Sequence, residues 1–405
     1  MHVVIIGNGF AGVSAIETLR THGEGVRITL ASAEDCGFYS PASLFAYLEG
    51  RVRRADLFLR RKEDYEAWGV ETFFGKRVVR LETAQKRVYL EDGTTIGYDR
   101  LLIATGASAK GMSVKGIASR GVFYLRSLDD ADRIRACGAG RAVVVGAGRI
   151  GVEMAATLRE MGAEVSLVES EPEILPGVFG RELAAAIKEL LQARGVRVHT
   201  AESIIEVRGD PVNAVRTERR DLPCDMVVVA VGRRPNVDFV DGGGVALGAT
   251  GGIRVDRHLR AADDVYAAGD CAESVDFLGR PAVNAVIPTA LETGRIAALN
   301  ILGRPTPYHG SIAGNVLRLF GRAFCAVGDQ DGEKVVRRAG DGVQVYTLQG
   351  DRLVGVQFVE SVPEAARALG AIRRGIRTPG PFTPDALRRQ LFLPIVYPNV
   401  NRGRA

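Results

Sequence analysis

The sequence lacks the features of several protein classes. No apolar run reaches the roughly 20 residues that a membrane-spanning helix needs. The five cysteines are far apart and form no C-x-x-C pair, so the sequence predicts neither a zinc site nor a vicinal dithiol. The five histidines form no obvious pair with a carboxylate, and we expect no metal. The chain enters the apolar stretch "HVVIIG" without a basic segment or cleavage site, so we expect no signal peptide and a cytoplasmic location.

The charge also excludes one class of partner. The formal net charge is +5 and the pI is about 9.0, but no dense tract of Lys and Arg with interleaved aromatic residues is present. We therefore expect no nucleic acid, and interpret the mild basicity as suited to an anionic cofactor or an acidic partner. With 405 residues, 46% of them hydrophobic, the chain predicts a globular protein of two or three domains.

One unit occurs twice in the chain. The first copy is "HVVIIGNGFAGVSAIETLR" and the second is "RAVVVGAGRIGVEMAATLREMG". Each contains an apolar strand, a G-x-G-x-x-G turn and an amphipathic helix, followed by a second strand, which is the pattern of a βαβ dinucleotide-binding unit. A Gly-rich surface turn is the alternative for either motif alone. The shared strand–turn–helix context in both copies favours two nucleotide sites.

Each glycine of the motif has its own predicted task. The first permits the tight turn, the second lets a pyrophosphate approach the backbone, and the third lets the helix pack closely on the strand. The helix N-terminus then offers unpaired N–H groups to the phosphates. In chain order these glycines are Gly7, Gly9 and Gly12, then Gly146, Gly148 and Gly151.

Residues at the strand ends predict how the riboses are held. Glu169 ends the second unit at the offset expected for a carboxylate that binds ribose hydroxyls. Its charge would repel a 2′-phosphate, which favours NADH over NADPH. Ser32 and Glu34 end the first unit and are candidates for the other ribose, with plain loop polarity as the alternative.

Further motifs identify a family. "YDRLLIATGAS" is a strand that leads into a Thr105-Gly106 turn, and "DDVYAAGDCAES" is a strand that ends at Gly269-Asp270. With the two fingerprints and "VVVAVGRRPN" they follow the order found in the FAD-dependent pyridine nucleotide–disulfide oxidoreductase superfamily, which the chain resembles over nearly its whole length. The resemblance implies FAD and NAD(H) as cofactors. It also implies that the first fingerprint holds the ADP half of FAD, that Asp270 binds the flavin ribitol, and that Val78 lies by the adenine.

The resemblance implies an α/β fold. We expect two Rossmann-like three-layer nucleotide-binding domains, in which the FAD domain (1–110 and 242–305) is interrupted by the NAD domain (111–241). An α+β interface domain (306–405) that forms a homodimer would follow, with "RLVGVQFVES" as an alternating strand. The Pro-rich tail has no assignment. The full set of expected FAD contacts is Gly7, Gly9, Phe10, Ala11, Gly12, Ser32, Glu34, Ser40, Val78, Ala104, Thr105, Gly106, Gly269, Asp270, Pro288 and Thr289.

The nicotinamide is expected to stack on the flavin. Hydride transfer there needs proximity rather than acid–base groups. Pro288 suits the first turn of a helix whose N–H groups near Thr289 would face the flavin, although an ordinary buried helix start is the alternative. Glu153 matches the family's Glu near the nicotinamide, whereas Arg149 stands where related enzymes often carry an aromatic residue. The expected NAD contacts are Gly146, Gly148, Arg149, Ile150, Gly151, Glu153, Glu169 and Gly232.

The stretch "AEDCGFYSPASLFAYLEG" decides between kinds of chemistry. Ser40 is expected to cap a helix that begins at Pro41. Relatives that reduce disulfides through a single cysteine carry it at the position of Pro41, whereas Cys36 lies five residues earlier in the loop. Without that cysteine the chain resembles NADH:rubredoxin and ferredoxin reductases and the flavin domains of NADH-dependent nitrite reductases. Many of those read Y-S-R where this chain has Tyr39-Ser40-Pro41.

The first functional hypothesis is therefore an NADH-dependent flavoprotein that reduces an acidic carrier protein or an iron–sulfur partner enzyme. An NADH oxidase that makes peroxide is an alternative, because any exposed reduced flavin reacts with oxygen. A CoA-disulfide or thiol–disulfide reductase using Cys36 is another. A sensor or interaction protein that binds FAD and NADH without turnover is the fourth.

Overall fold

The computed structural model describes residues 1–138, 140–240, 244–339, 342–375 and 377. The chain forms two compact units, Met1–Ala313 and a second that begins at Gly314. The predicted boundary at 241/242 and the tail 378–405 lie outside the described residues. In the described part no helix is long and apolar enough to cross a lipid bilayer. The α-helices are α1 (Phe10–His22), α2 (Leu44–Leu48), α3 (Lys62–Ala67), α4 (Leu128–Cys137), α5 (Arg149–Glu160), α6 (Arg181–Ala193), α7 (Ile287–Ile301) and α8 (Val362–Arg373).

Two parallel sheets form the centre of the first unit. The six-stranded sheet has the order β21 (Arg260–Ala262), β22 (Val265–Ala267), β9 (Arg100–Ile103), β1 (His2–Ile6), β2 (Arg27–Ser32) and β5 (Val70–Phe74), with only β21 antiparallel. The five-stranded sheet is parallel throughout and has the order β11 (Val122–Phe123), β18 (Met226–Val229), β12 (Arg141–Val145), β13 (Glu164–Val168) and β14 (Arg197–His199).

Small antiparallel sheets accompany these two. They are β6 (Val78–Glu82), β7 (Arg87–Leu90) and β8 (Thr95–Gly97); β15 (Ile204–Arg208), β16 (Ala214–Thr217) and β17 (Asp221–Pro223); β10 (Ala107–Ala109) with β19 (Arg233–Pro235); and β3 (Phe38–Tyr39) with β4 (Phe58–Arg60). A further small sheet joins β20 (Ile253–Arg254), β23 (Ala272–Val275) and β24 (Pro281–Ala282).

Both large sheets are buried on their two faces, which explains their near-continuous apolar strands. On β1, Val3 and Ile5 enter the core shared with α1 and α7, whereas Val4 and Ile6 enter the core under the β6–β7–β8 sheet. In the five-stranded sheet, Val143 packs toward the β15–β16–β17 sheet. Each large sheet thus forms one layer of a layered α/β arrangement, and the expected α/β fold class is confirmed.

The second unit is a five-stranded antiparallel sheet with one helix. Its order is β25 (Gly314–Leu319), β26 (Arg322–Gly328), β29 (Arg352–Val359), β28 (Gly342–Gln349) and β27 (Glu333–Ala339). The helix α8 packs on β26 and β29. Strand β29 was expected to alternate between buried and exposed residues, but every residue from Leu353 to Val359 is buried, because β29 is an inner strand and α8 covers one of its faces.

Candidate functional site

The first and third glycines of each fingerprint are held by close backbone contacts. Gly7 has a φ of +112°, and a Cβ atom there would lie 2.6 Å from the carbonyl carbon of Ala104. A Cβ on Gly12 would overlap the carbonyl oxygen of Gly7, and Gly151 meets Gly146 in the same way. These glycines therefore place each helix directly on its strand, which is the packing that the sequence predicts.

The second glycine of each fingerprint faces open space. Gly9 caps α1 and Gly148 caps α5, both with extended backbone, and a Cβ on either would meet no atom within 4 Å. Phe10 and Arg149 are the first residues of these two helices, so their N–H groups have no partner within the helix. A phosphate fits such a place, since it needs close approach to backbone N–H groups at a helix N-terminus.

The middle of helix α7 crosses the first turn of α1. A Cβ on Gly294 would overlap the carbonyl oxygen of Ala11, so the two helices cross with backbone nearly touching backbone. The buried Thr293 hydroxyl accepts a hydrogen bond from the N–H of Gly269 at 3.0 Å and donates to the carbonyl of Thr289 at 2.7 Å. A Cβ on Gly269 would lie 3.0 Å from Cβ of Ala11. Three chain segments predicted to contact FAD therefore meet at one place.

This meeting place suits a flavin nucleotide. Helix α7 begins at Ile287 with Pro288 in its first turn, as expected, and Thr289 is buried. Asp270 follows Gly269 in a short 3₁₀ turn, Gly269–Cys271, beside these helix starts. Unpaired N–H groups of α1 and α7 give the region a positive potential, which would stabilise a pyrophosphate and a reduced flavin that carries negative charge.

The residues expected at the adenosine end of FAD also lie together. Ser32 ends β2 and is buried, and its hydroxyl donates to the carbonyl of Glu34 at 3.0 Å. The N–H of Lys76, two residues before Val78, donates to the carbonyl of Ser32 at 2.8 Å. The Glu34 carboxylate accepts a hydrogen bond from Tyr39 at 2.6 Å. Glu34 is thus held by the segment that was expected at the flavin, a link that the sequence did not predict.

The segment after Tyr39 differs from the expected helix. Pro41–Ser43 form a 3₁₀ turn, and the α-helix α2 begins only at Leu44. Pro41 is therefore the first residue of the 3₁₀ turn and not, as predicted, of the α-helix. Ser40 is the N-cap residue of this 3₁₀ turn, as predicted, but its side chain makes no capping hydrogen bond. Tyr39 fixes the segment instead, because its hydroxyl accepts from the N–H of Leu128 at 2.9 Å.

Cys36 lies in a place that does not favour a thiolate. Burial, followed by the nearby carboxylates of Glu34 and Asp129, raises the pKa of its thiol to about 11. Reactive cysteines of redox enzymes have the opposite property, a thiol pKa lowered by cations or a helix N-terminus. The geometry therefore gives no support to Cys36 as a redox centre.

The second fingerprint brings its predicted residues to the carboxyl edge of the five-stranded sheet. Glu169 is buried just after β13, and its carboxylate accepts from the N–H of Ala147 at 2.6 Å and of Glu171 at 2.9 Å. Ile150 and the half-buried Glu153 lie on the first turns of α5. Gly232 has a φ of +112° and faces open space. The carboxylate of Glu169 is thus tied to the loop that is expected to hold the pyrophosphate.

A connection between the two sheets was missed in the sequence. Strand β10 pairs with β19, and both follow strands that end at the carboxyl edges of their sheets. Asn236 completes the link: its side chain donates to the carbonyl of Thr105 at 2.9 Å, and its N–H donates to the carbonyl of Gly106 at 3.0 Å. The "GRRPN" motif is the only sequence signal for this link, and it led only to the prediction of Gly232 as an NAD contact.

The arrangement can hold two nucleotides at neighbouring sheet edges. Open glycines, helix N-termini and carboxylates at strand ends occur in each half, and a two-stranded link joins the edges. In the described part of the chain no group of three His, Cys, Asp or Glu residues could hold a metal ion. The geometry is therefore that of a site for cofactor-to-cofactor redox chemistry, in which the protein supplies binding and orientation.

Comparisons with known proteins agree with this geometry. The family model described as "Pyridine nucleotide-disulphide oxidoreductase" matches residues 1–294. The NADH-dependent phenylglyoxylate dehydrogenase subunit epsilon of Aromatoleum evansii is 30% identical over 83% of this chain and 82% of its own. The rubredoxin-NAD(+) reductase of Pseudomonas putida is 29% identical over 91% of this chain and 98% of its own. In the crystal structure of a covalent putidaredoxin reductase–putidaredoxin complex, a chain 28% identical superposes with a TM-score of 0.88 over 93% of this chain and 94% of its own.

These findings confirm the expected superfamily, the oxidoreductase class and the two cofactors, FAD and NAD(H). The roles of the individual residues stay predictions. The family model matches most of the chain, and the site is built from two nucleotide-binding fingerprints. The chain therefore belongs to the pyridine nucleotide-disulphide oxidoreductase family.

Proposed function

We propose that this chain takes hydride from NADH onto FAD and passes the electrons to a carrier protein of the iron–sulfur or rubredoxin type. The observation that carries the proposal is the absence of a usable thiol where disulfide reductases need one. Pro41 begins the turn before α2, and burial raises the pKa of the only nearby described thiol, Cys36, to about 11. Bound FAD would supply the ability to take two electrons together and release them singly.

The nature of the acceptor is supported by charge and by the relatives. A relative is named for rubredoxin and a similar structure contains putidaredoxin, and both of these partners are proteins. The net charge of +5 favours association with an acidic protein. We therefore propose an acidic carrier, or an iron–sulfur subunit of a larger enzyme, as the partner.

The predicted residue roles form part of the proposal. Gly9, with the starts of α1 and α7, would bind the FAD pyrophosphate and the flavin, while Asp270 would hold the ribitol. Gly148 with the start of α5 would bind NADH. Because the buried Glu169 carries a negative charge at the expected ribose position, we propose NADH rather than NADPH as the donor.

An acceptor panel under anaerobic conditions tests the function. The FAD-loaded protein is mixed with NADH and then with a rubredoxin, a ferredoxin or a disulfide such as CoA disulfide, and reoxidation of the flavin is followed at 450 nm in a stopped-flow instrument. We expect at least one carrier protein to reoxidise the flavin faster than air-saturated buffer does, and no reaction with the disulfide. Rapid reoxidation by oxygen with no gain from any carrier would instead identify an NADH oxidase. Reduced flavin that no acceptor reoxidises would identify a sensor.

We also propose an assembly and a location for the protein. We propose a homodimer formed through residues 306–405, on the resemblance to the family, and light scattering of the purified protein measures it. All five cysteines are free in the structure, which suits the reducing cytoplasm. The division into FAD segments 1–110 and 242–305 around the NAD segment 111–241 is likewise a proposal, which limited proteolysis with and without each cofactor would test.

A further inference from the structure

One segment of the proposed FAD part is attached to two helices of the proposed NAD part, residues 111–241. Residues 38–54, here called the α2 segment, begin with strand β3, which pairs with β4. Helix α2 packs on both α4 and α5 of the NAD part. Its buried residues are Leu44, Tyr47 and Leu48. The α2 segment is therefore a second connection between the two parts, in addition to the pairing of β10 with β19.

On α4, one carboxylate accepts hydrogen bonds from two side chains of the α2 segment. Asp132 accepts from the Tyr47 hydroxyl at 2.5 Å and from Nε of Arg54 at 3.0 Å. Arg135 of the same helix lies over the Tyr47 ring, with 4.9 Å between its guanidinium carbon and the ring centroid. Tyr47 is only 5% exposed, and a buried hydrogen bond to an ionised acceptor is stronger than an exposed ion pair. Tyr47 and Asp132 thus hold α2 against α4.

On α5, the contact lies away from the helix end that faces the nucleotide. The Thr157 hydroxyl donates to the carboxylate of Glu49 at 2.9 Å, and Arg51 pairs with the same carboxylate. The Glu49 side chain is 9% exposed. Helix α5 begins at Arg149, so Thr157 lies about 12 Å further along the helix axis. The α2 segment therefore holds α5 at a point well removed from the nucleotide edge of the sheet.

Tyr39 connects this attachment to the expected FAD site. Its hydroxyl donates to the carboxylate of Glu34 at 2.6 Å and accepts from the N–H of Leu128 at 2.9 Å. Glu34 is a candidate for the ribose of FAD, and Leu128 is the first residue of α4. A rotation of α4 away from the FAD part would break this hydrogen bond together with those to Asp132.

Two connections at different places restrict motion more than one does. The pairing of β10 with β19 alone would allow the NAD part to rotate about it as a hinge. The contacts of the α2 segment with α4 and α5 oppose that rotation, because they join the same two parts elsewhere. Hydride transfer needs reacting atoms about 3–3.5 Å apart, and a misplacement of about 1 Å can cost about 10²-fold in rate.

We propose that the α2 segment is a positioning element, which holds the NAD part in one orientation on the FAD part so that the nicotinamide meets the flavin in a reactive geometry. The inference rests on the proposed function and on the proposed division of the chain. Tyr47, Asp132 and Glu49 are then positioning residues, since they act through α4 and α5 and not on either cofactor.

Anaerobic stopped-flow reduction of the FAD-loaded protein, over a range of NADH concentrations, tests the proposal. Asp132→Ala removes the acceptor of Tyr47 and Arg54, and Thr157→Val removes the donor to Glu49. In the double variant we expect the limiting rate of flavin reduction to fall by about tenfold or more. Its affinity for NAD⁺, from titration calorimetry, should stay within about twofold of wild type. Asp132→Asn keeps an acceptor for Tyr47 and should lose less of the rate.

Hydrogen exchange measures the attachment without turnover. In the FAD-loaded double variant, the backbone N–H groups of α2 and of Leu128–Cys137 should exchange faster than in wild type, since both elements lose contacts that oppose their opening. FAD content at the wild-type level shows that the fold is intact. Wild-type exchange in both elements would overturn the proposal.

Tyr89→Phe is the matched control, because it removes a hydrogen bond of the same kind, from a tyrosine to the Glu82 carboxylate at 2.7 Å, inside the FAD part. We expect its limiting rate and its exchange to stay within about twofold of wild type. An unchanged limiting rate in the double variant would overturn the proposal and leave the proposed function intact. A loss of NAD⁺ affinity as large as the loss of rate would also overturn it, since the α2 segment would then act on binding. Wild-type flavin that NADH does not reduce would refute the proposed function itself, and this inference with it.

Discussion

Two glycines of the second fingerprint should respond to the same substitution in opposite ways. A Cβ on Gly151 would overlap the carbonyl oxygen of Gly146 and lie 3.0 Å from its carbonyl carbon and 3.4 Å from Cβ of Ala230. Since ordinary carbon contacts are about 3.5–4.0 Å, helix α5 would have to move away from the sheet. Overpacking of this kind costs about 1–3 kcal/mol, so we expect Gly151→Ala to lower the free energy of unfolding by about 2 kcal/mol or more.

Gly148→Ala should leave stability almost unchanged. A Cβ there meets no atom within 4 Å, and the backbone, with φ −69° and ψ −176°, is one that alanine adopts readily. We expect a change in the free energy of unfolding below about 1 kcal/mol, in either direction. The methyl group would instead occupy the space that the pyrophosphate must enter, and we expect affinity for NAD⁺ to fall by about tenfold or more, which corresponds to about 1.4 kcal/mol.

Two measurements separate these outcomes. Thermal unfolding of the FAD-loaded protein should show a midpoint lower by about 4–8 °C for Gly151→Ala and within about 2 °C of wild type for Gly148→Ala. Titration calorimetry with NAD⁺ should show the loss for Gly148→Ala, while its FAD content stays at the wild-type level. Wild-type NAD⁺ affinity in Gly148→Ala would refute the assignment of that open space to the dinucleotide, and wild-type stability in Gly151→Ala would refute the close packing.

Three further predictions follow from single side chains. At pH 7 a thiol with a pKa of about 11 is ionised in only about one molecule in 10⁴, so Cys36→Ser should keep the rate of carrier reduction within about twofold of wild type. NADH titration of the wild-type protein should show no long-wavelength thiolate–flavin band. Such a band in the wild type that disappears in Cys36→Ser would contradict this prediction. Thr293→Val leaves the buried N–H of Gly269 without its acceptor and should lower the free energy of unfolding by about 1–3 kcal/mol and weaken FAD retention on gel filtration, with Thr293→Ser as the control. Burial and the neighbouring Glu49 carboxylate raise the pKa of Glu160, so the folded state is stabilised while Glu160 is protonated and loses this contribution as the pH rises above 4.5, the ordinary pKa of a glutamate. Glu160→Gln, which stays neutral, should therefore gain stability relative to wild type between pH 4.5 and 7, as measured by urea unfolding. A stability difference that stays constant across that range would count against the interaction between Glu160 and Glu49.

The local parts of the site could be predicted from the sequence, because their residues are close along the chain. A strand, a glycine turn and a helix fix the positions of Gly7, Gly9 and Gly12 within a dozen residues, and the structure places them as expected. The start of α7 near Pro288 is equally local. Such motifs need only backbone conformation and the absence of a side chain, which a single sequence reveals.

The parts that could not be predicted depend on distant residues. Asn236 and Thr105 are 131 residues apart along the chain, and nothing in either segment alone indicates the hydrogen bonds between them. Ser40 has the composition of a helix cap, but a distant contact, from Tyr39 to the N–H of Leu128, fixes the segment and the chain forms a 3₁₀ turn first. Tertiary contacts thus override local preference at the flavin side of the site, where the sequence alone was least certain.

The distribution of charge around the site constrains how electrons leave it. The helix starts at Phe10 and Ile287, with Arg149 and Arg233, would make the nucleotide side positive, which suits both a reduced flavin and phosphates. At Cys36, by contrast, burial and then the nearby carboxylates raise the pKa of the thiol, which disfavours a thiolate that could take electrons onward. In the proposed function, electrons that enter by hydride transfer leave directly to an acceptor that comes within reach of the flavin. An acidic protein with its own metal centre meets that requirement and needs no second redox group in this chain. The disulfide hypothesis needs a reactive thiol in addition, so the carrier-protein hypothesis makes fewer assumptions.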